Sequence, residues 1–402
     1  MSAIWDFSRL LDEGYCQEIK VKDIDKKRLA SARDTIRQHL RAGFATLRIA
    51  DNQNALLIEK TRTALAGQRA FLAPKFHMQG SFVYNTHTDA IQHPPQEIDM
   101  DDGMFLPVRF FMQDSETPVV DCNLYIDNVK TSLEKLATKK TGWWVEEKAC
   151  CLRMHINKRL HVDIPLYAIR DEKYDSLVEA LNKAFSTFSL DSLREQVELD
   201  RNIYTDLDTE DMRLATRDGW IKSDPRKLEE WFKGKIRVHG EVLRTITRVF
   251  KGYRDYIWTD SSLSSICIMA AVVKAYDENP EFSSLRLGAA IESVSNALVQ
   301  ILASPIENPV YPGDQKTCLC NGWSSTERQS IRKAFQNLGD AIDRAATVSD
   351  PVYALQRIRG EFGDRMSNDV ALLELTSEGI AAYEAAAAQN TPPPVVTSHT
   401  SG

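Results

Sequence analysis

The 402-residue chain has no apolar run approaching the roughly 20 residues that span a bilayer, so no membrane helix is expected. A basic leader with an apolar core is also missing. Met1-Ser2-Ala3-Ile4-Trp5-Asp6-Phe7 has neither feature, so secretion is not expected and the cytoplasm is the expected location. Cysteine is sparse, with seven residues scattered over the whole length. An odd and dispersed set does not read as a disulfide framework. Cys318-Leu319-Cys320 lacks a second Cys or His pair at zinc spacing, so it reads as two reduced loop thiols. Basic charge is short as well: 50 Lys and Arg stand against 57 Asp and Glu, a formal net charge of −7. A protein that grips a long polyanion usually carries a basic stripe. This balance argues against long nucleic acid as the main partner, whereas a few basic groups and divalent cations suffice for a short polyanion.

What is present fits a soluble protein with two packed lobes, because single cores stop growing near about 300 residues. Leu29, Ala32, Ile36 and Leu40 recur at helical spacing, and residues 24–70 read as helical. Residues 76–170 read as strand-rich, with a helix over 127–138. Met104-Phe105-Leu106-Pro107-Val108, Arg109-Phe110-Phe111-Met112 and Trp143-Trp144-Val145 look like strands, and the Trp pair is expected to pack the sheet. In Leu160-His161-Val162-Asp163-Ile164-Pro165-Leu166-Tyr167, apolar Val162, Ile164 and Leu166 alternate with His161 and Asp163. Residues 171–208 are charged and helical with loops. Later helices are expected over 225–233, 237–257, 263–276, 283–303, 325–345, 351–365 and 369–388. The expected domains are 1–215, 216–388 and a mobile Pro- and Thr-rich tail over 389–402.

Chemistry concentrates in Gln79-Gly80-Ser81-Phe82-Val83-Tyr84 and Glu97-Ile98-Asp99-Met100-Asp101-Asp102-Gly103. Carboxylates at i and i+2 leave a strand on one side, so Asp99 and Asp101 converge if Ile98 and Met100 face a core. Oxygen ligands suit Mg²⁺, which keeps waters and takes substrate phosphates. A Gly80-Ser81 turn offers backbone N–H groups and a hydroxyl to phosphates. Asp163, on the polar face of its strand, supplies a third carboxylate. Asp102 points the other way and reads as a turn or supporting residue. A Gly-Ser turn, a D-x-D strand and a later strand Asp form the pattern of a polymerase-β-like nucleotidyltransferase. The fold class expected is α+β: such a lobe with a mixed sheet, plus a C-terminal helical lobe.

Over these segments, and through Trp220-Ile221-Lys222-Ser223-Asp224-Pro225, Glu230-Trp231-Phe232 and Glu361-Phe362-Gly363-Asp364-Arg365, the sequence resembles the bacterial cGAS/DncV-like nucleotidyltransferases. The resemblance is weakest over 1–70 and the tail. It implies synthesis of a cyclic oligonucleotide from ATP, GTP or other NTPs, a cyclic GMP-AMP type product being favoured. The implied setting is CBASS anti-phage defence with a downstream cyclic-nucleotide effector. It assigns two Mg²⁺ ions, with Mn²⁺ as a substitute, to Asp99, Asp101 and Asp163. It places the nucleotides between the lobes, with Gln79, Gly80, Ser81 and Tyr84 around the donor. Tyr84 is either a base-stacking ring or a core tyrosine. Arg153 either reaches a second nucleotide or lies on the surface, and Ser223 either contacts nucleotide or caps the helix after it. Lys251 and Ser265 match a triphosphate lysine and its partner, while Glu307 sits in a loop of different length. An E1/E2-like partner that conjugates through the C-terminal residue would act on Gly402, the alternative being an incidental glycine.

Three other readings stay open: a cyclic product of other bases or of three nucleotides, a template-free RNA nucleotidyltransferase, and a non-catalytic nucleotide-binding module. The acidic balance speaks against RNA, and three carboxylates speak against the module.

Overall fold

The computed structural model describes residues 3–45, 74–91, 95–108, 118, 120–170 and 212–389. The helical reading beyond residue 45, the 109–112 strand, the 171–208 segment and Gly402 with its tail lie outside the described residues. Contacts gather into two units. One comprises Lys20–Val238 with Pro309–Pro312; the other comprises residues up to Ile19, His239–Asn308 and everything from Gly313 onward. This grouping treats the first nineteen residues and the helix from Pro225 differently from a division at 215/216.

The first unit is built on a mixed sheet. Its long strand β3 (Ile98–Val108) is flanked on one edge by antiparallel β2 (Lys75–Gln79). On the other edge it runs parallel to β6 (Leu160–Ile164) and then β7 (Leu166–Arg170). Ile98 faces Leu160 and Met104 faces Leu166, both offset by 62 positions (160 − 98 and 166 − 104), so β6 and β7 keep one register across Pro165. Proline has no N–H to give the ladder, but its carbonyl still accepts from Met104 N at 2.8 Å. The far edge carries β5 (Leu152–His155) and β4 (Trp144–Glu147) beside β6, and β8 (Arg213–Thr216) and β9 (Gly219–Lys222) beside β7.

Alternation along β3 sorts its side chains. Ile98, Met100, Asp102 and Met104 are buried, while Asp99 and Asp101 are half-buried. Asp102 is held on the core side by Arg37 of helix α1 (Asp23–Ala45), whose Nε donates to Oδ2 at 2.7 Å. Leu29, Ala32, Ile36 and Leu40, the α1 positions at helical spacing, are all buried. A short helix α2 (Gly80–Tyr84) follows β2 directly. Helix α3 (Cys122–Ala137) is capped by Asp121, which accepts from the N–H groups of Asn123 and Leu124. Trp144 is exposed rather than sunk in the sheet; its ring lies flat on His155 with centroids 4.2 Å apart. Helix α4 (Pro225–His239) ends this unit, and Gly240, at φ +92°, separates it from the next helix.

The second unit is helical: α5 (Val242–Ile257), α6 (Ser265–Glu278), α7 (Leu287–Ile301), α8 (Ser325–Thr347), α9 (Pro351–Phe362) and α10 (Ser377–Gln389). Phe250 and Tyr253 of α5 meet Phe335 of α8 and Phe362 of α9 in its core. A capping box, Ser324 with Glu327, starts α8, and Asp350 followed by Pro351 starts α9. Four expected helices are shorter than read: 237–257 begins at Val242, after Gly240, and 283–303 spans Leu287–Ile301, while the other two lose an end. The 351–365 helix stops at Phe362 because Gly363 adopts φ +69°. The 369–388 segment begins instead with a 3₁₀ turn (Val370–Leu372) and strand β10 (Glu374–Leu375) before α10. There, pairing of β10 with β1 (Trp5–Asp6) overrides the helical propensity of Val370-Ala371-Leu372-Leu373. No described helix is long and apolar enough to cross a membrane.

Candidate active site

Sheet register assembles the site. Asp101 faces Gln79 across β2 on one side and Asp163 across β6 on the other. Asp163 in turn faces Arg153 of β5. One residue step of two along β3, Asp99 faces His161, which faces His155. Neighbouring strands lie about 4.8 Å apart, so all three aspartates share one face within two rows of the sheet. This is an oxygen-only donor set of the kind a hard divalent cation takes.

The turn after β2 presses against this row. Gly80 has φ +70°, and a Cβ built there would run into the Asp101 carboxylate. Only glycine therefore lets the backbone pass so close. The next residue, Ser81, is buried, and its Oγ has no hydrogen-bond partner among the described residues. A buried hydroxyl without a partner costs free energy unless a ligand supplies one. Gln79 Nε2 donates to the Tyr167 hydroxyl at 3.2 Å, and the same hydroxyl meets Ser223. Tyr84 is buried on α2, its ring in T-shaped contact with Phe232, 6.3 Å between centroids. Burial, then the charges of Asp101 and Glu229, raise its phenol well above the ordinary range.

Arg153 is engaged within the site. Its Nε and Nη2 donate to the two oxygens of Asp163 at 2.8 and 2.9 Å, a planar fork on a carboxylate. Burial works against the guanidinium charge, but the bonded Asp163 outweighs it and raises the Arg153 pKa. Ser223 does not cap α4; Asp224 does, its Oδ1 accepting from Arg226 N at 2.9 Å. Lys251 and Ser265 belong to the helical unit. Lys251 is buried on α5, and Ser265 Oγ accepts from Arg254 Nη1 at 3.1 Å.

Several residues at this site escape a reading of sequence. Tyr167 gathers Gln79 and Ser223, and Glu97, His155 and His161 extend the polar rows. Burial lowers the His161 pKa, opposed by the Asp163 charge. Period-two spacing from Asp99 and Asp163 was the only signal for Glu97, His161 and Tyr167; His155 needed the β5–β6 register.

Two family models match the chain. The DncV-like nucleotidyltransferase domain of cyclic GMP-AMP synthase covers 74–167, and the cyclic GMP-AMP synthase C-terminal domain covers 240–374. The cyclic GMP-AMP synthase of Vibrio cholerae serotype O1 is 32% identical over 310 residues, 74% of this chain and 69% of that protein. The chain belongs to this nucleotidyltransferase family. An Escherichia coli cyclic GMP-AMP synthase is 28% identical over 419 residues, 94% of this chain and 95% of its own. The solved di-nucleotide cyclase DncV of V. cholerae, in complex with GTP and 5MTHFGLU2, superposes with TM-score 0.75 at 25% identity, covering 94% of this chain and 100% of its own. The fold is accordingly the polymerase-β-like nucleotidyltransferase with a helical C-terminal lobe, and the protein is a pyrophosphate-releasing nucleotidyltransferase. Membership implies use of a divalent metal, and the half-buried Asp99 and Asp101 beside Asp163 fit one.

Proposed function

We propose that this nucleotidyltransferase joins two NTPs, ATP and GTP being favoured, into a cyclic dinucleotide of the cyclic GMP-AMP class. The supporting observation is the placement of Asp101 opposite Asp163, with Asp99 on the same face and the Gly80-Ser81 turn against Asp101. Asp99, Asp101 and Asp163 would hold two Mg²⁺ ions, with Mn²⁺ as a substitute. Bound there, such ions activate a hydroxyl and neutralise charge developing on the triphosphate.

The chain's own residues do the rest. The Gly80 and Ser81 N–H groups and the Ser81 hydroxyl receive phosphate oxygens, and Gln79, fixed by Tyr167, borders the donor. Arg153 aims both Asp163 oxygens. Asp163 accepts the proton as the hydroxyl of one nucleotide bonds to the α-phosphorus of the other; the α–β P–O bond breaks and pyrophosphate leaves. The linear product then turns, and its second hydroxyl attacks its own α-phosphorus in the same way. Lys251 and Ser265 are assigned to a triphosphate, Ser223 to a nucleotide and Tyr84 to the donor site on the family pattern.

The product is read as a second messenger of CBASS anti-phage defence in the cytoplasm, passed to a cyclic-nucleotide effector. Conjugation of Gly402 by an E1/E2-like partner belongs to the same proposal. Incubation with the four NTPs and Mg²⁺, followed by mass and nuclease analysis, tests the chemistry. A nuclease-resistant cyclic dinucleotide is expected, whereas extended RNA, or binding without pyrophosphate release, refutes it.

A further inference from the structure

Beside the aspartates, two histidines turn toward one glutamate. His155 and His161 face each other across β5 and β6. Glu97 Oε2 lies 2.7 Å from His161 Nδ1 and 3.6 Å from His155 Nδ1. The far nitrogen of each ring looks at a different carboxylate. His155 Nε2 is 2.9 Å from Glu146 Oε2, and His161 Nε2 is 3.8 Å from Asp163 Oδ1.

Proton bookkeeping makes this arrangement informative. An ionised carboxylate only accepts, so the bond to Glu146 places the proton of a neutral His155 on Nε2. Its Nδ1 then carries a lone pair, is buried without a hydrogen-bond partner, and faces a further acceptor, Glu97. Two opposed acceptors are unfavourable unless a proton or a metal cation joins them. His161 differs: its Nδ1 is hydrogen-bonded to Glu97 Oε2 at 2.7 Å and its Nε2 is buried without a partner, so a cation taking Nδ1 would shift the ring proton to Nε2, which faces Asp163.

We propose that Glu97, His155 and His161 form a binding site for a transition-metal dication of the Zn²⁺ class, separate from the Mg²⁺ ligands. The three ligand atoms already lie within 4.8 Å of one another. Tetrahedral zinc, with bonds of about 2.0–2.1 Å, sets neighbouring ligand atoms about 3.3 Å apart. The His155–Glu97 pair is close to that, and the His161–Glu97 contact opens by roughly half an ångström to reach it. Glu146 provides an outer carboxylate that orients a metal-bound His155, and Asp163 stands 3.8 Å from His161 Nε2. Trp144 lies flat on His155, and exposed Glu97 leaves a side open for entry and for a water as fourth ligand. Imidazole nitrogens favour zinc over Mg²⁺, so excess Mg²⁺ does not compete.

The test titrates the metal-free full chain with Co²⁺, a coloured stand-in for Zn²⁺, in excess Mg²⁺. Saturation at one equivalent with tetrahedral d–d absorption, displaced by one equivalent of Zn²⁺, is expected. Glu97→Gln and His155→Gln should each weaken uptake by at least about tenfold, while Asp99→Asn leaves it unchanged. Glu97 is exposed, so its variant keeps the experiment decisive even if a histidine variant fails to fold; circular dichroism verifies its fold. No saturable uptake, or uptake unchanged in Glu97→Gln, overturns the proposal. Thiolate-to-metal charge transfer persisting in Glu97→Gln also overturns it, because the metal then sits on cysteines.

Discussion

Gly80 shows how single residues shape the site. At φ +70° against the Asp101 carboxylate, it has no room for a side chain. Gly80→Ala is expected to cost about 1–3 kcal/mol of backbone strain. Displacement of Asp101 should cut kcat by about 10²-fold, measured beside the urea midpoint. Arg153 gives a complementary test. Arg153→Lys keeps the charge but loses the fork on Asp163, so kcat should fall about tenfold with little change in thermal midpoint. A kcat equal to wild type would show that Asp163 needs no such alignment. At this scale the pattern of alternation was legible: Asp99 and Asp101 share a face, and Asp102 turns to the core. Partners were not. Nothing near Asp163 in sequence announces Arg153 as its mate, because that pair depends on where β5 and β6 come into register.

Elements carry the next layer. Helix α1 and strand β3 are joined by Arg37 and Asp102, both buried, within a core of apolar neighbours. Arg37→Ala leaves the Asp102 charge without its bonded partner and should destabilise by about 3–5 kcal/mol. Urea unfolding reads this, and a loss below about 1 kcal/mol would mean that Asp102 finds other relief. Glu147, at the end of β4, is bound by Arg217 Nε at 2.6 Å, and Arg217 also reaches Asp127 of α3. The Arg217 hydrogen bond, against a smaller burial penalty, depresses the Glu147 carboxyl from its ordinary 4.5 to about 2. Because the folded value lies below the unfolded one, this stabilisation is complete above about pH 4.5 and is lost as pH falls through about 2. Arg217 is exposed and Glu147 half-buried, so solvent screens the pair and the effect is small. The Tm gap between wild type and Arg217→Ala should be widest near neutral pH and close on acidification. A gap that widens in acid would contradict this sign. Long elements with strong periods, such as α1 and α8, were readable from sequence. Segment 369–376 was not, since its apolar run suits a helix and only pairing with Trp5–Asp6 makes it a turn and strand.

For the whole molecule, the negative balance of 50 basic against 57 acidic residues bears on partners. Without a basic excess, duplex DNA should neither bind at physiological salt nor stimulate product formation, which a titration of the reaction with DNA checks. Fold class was legible because a D-x-D strand, a Gly-Ser turn and a later strand Asp constrain topology together. Grouping of the chain's first residues with the helices was not, because Trp5 finds its partners, such as the Val348 carbonyl, more than three hundred positions away. In the proposed chemistry the β3 aspartates, opposite Asp163, make a cyclic dinucleotide. The most direct test of this chemistry compares wild type with Asp101→Asn in ATP, GTP and Mg²⁺, with products identified by mass. Wild type should yield a cyclic dinucleotide and pyrophosphate, and the folded variant should lose at least about 10³-fold in rate. A variant that still makes the product at the wild-type rate would contradict the account.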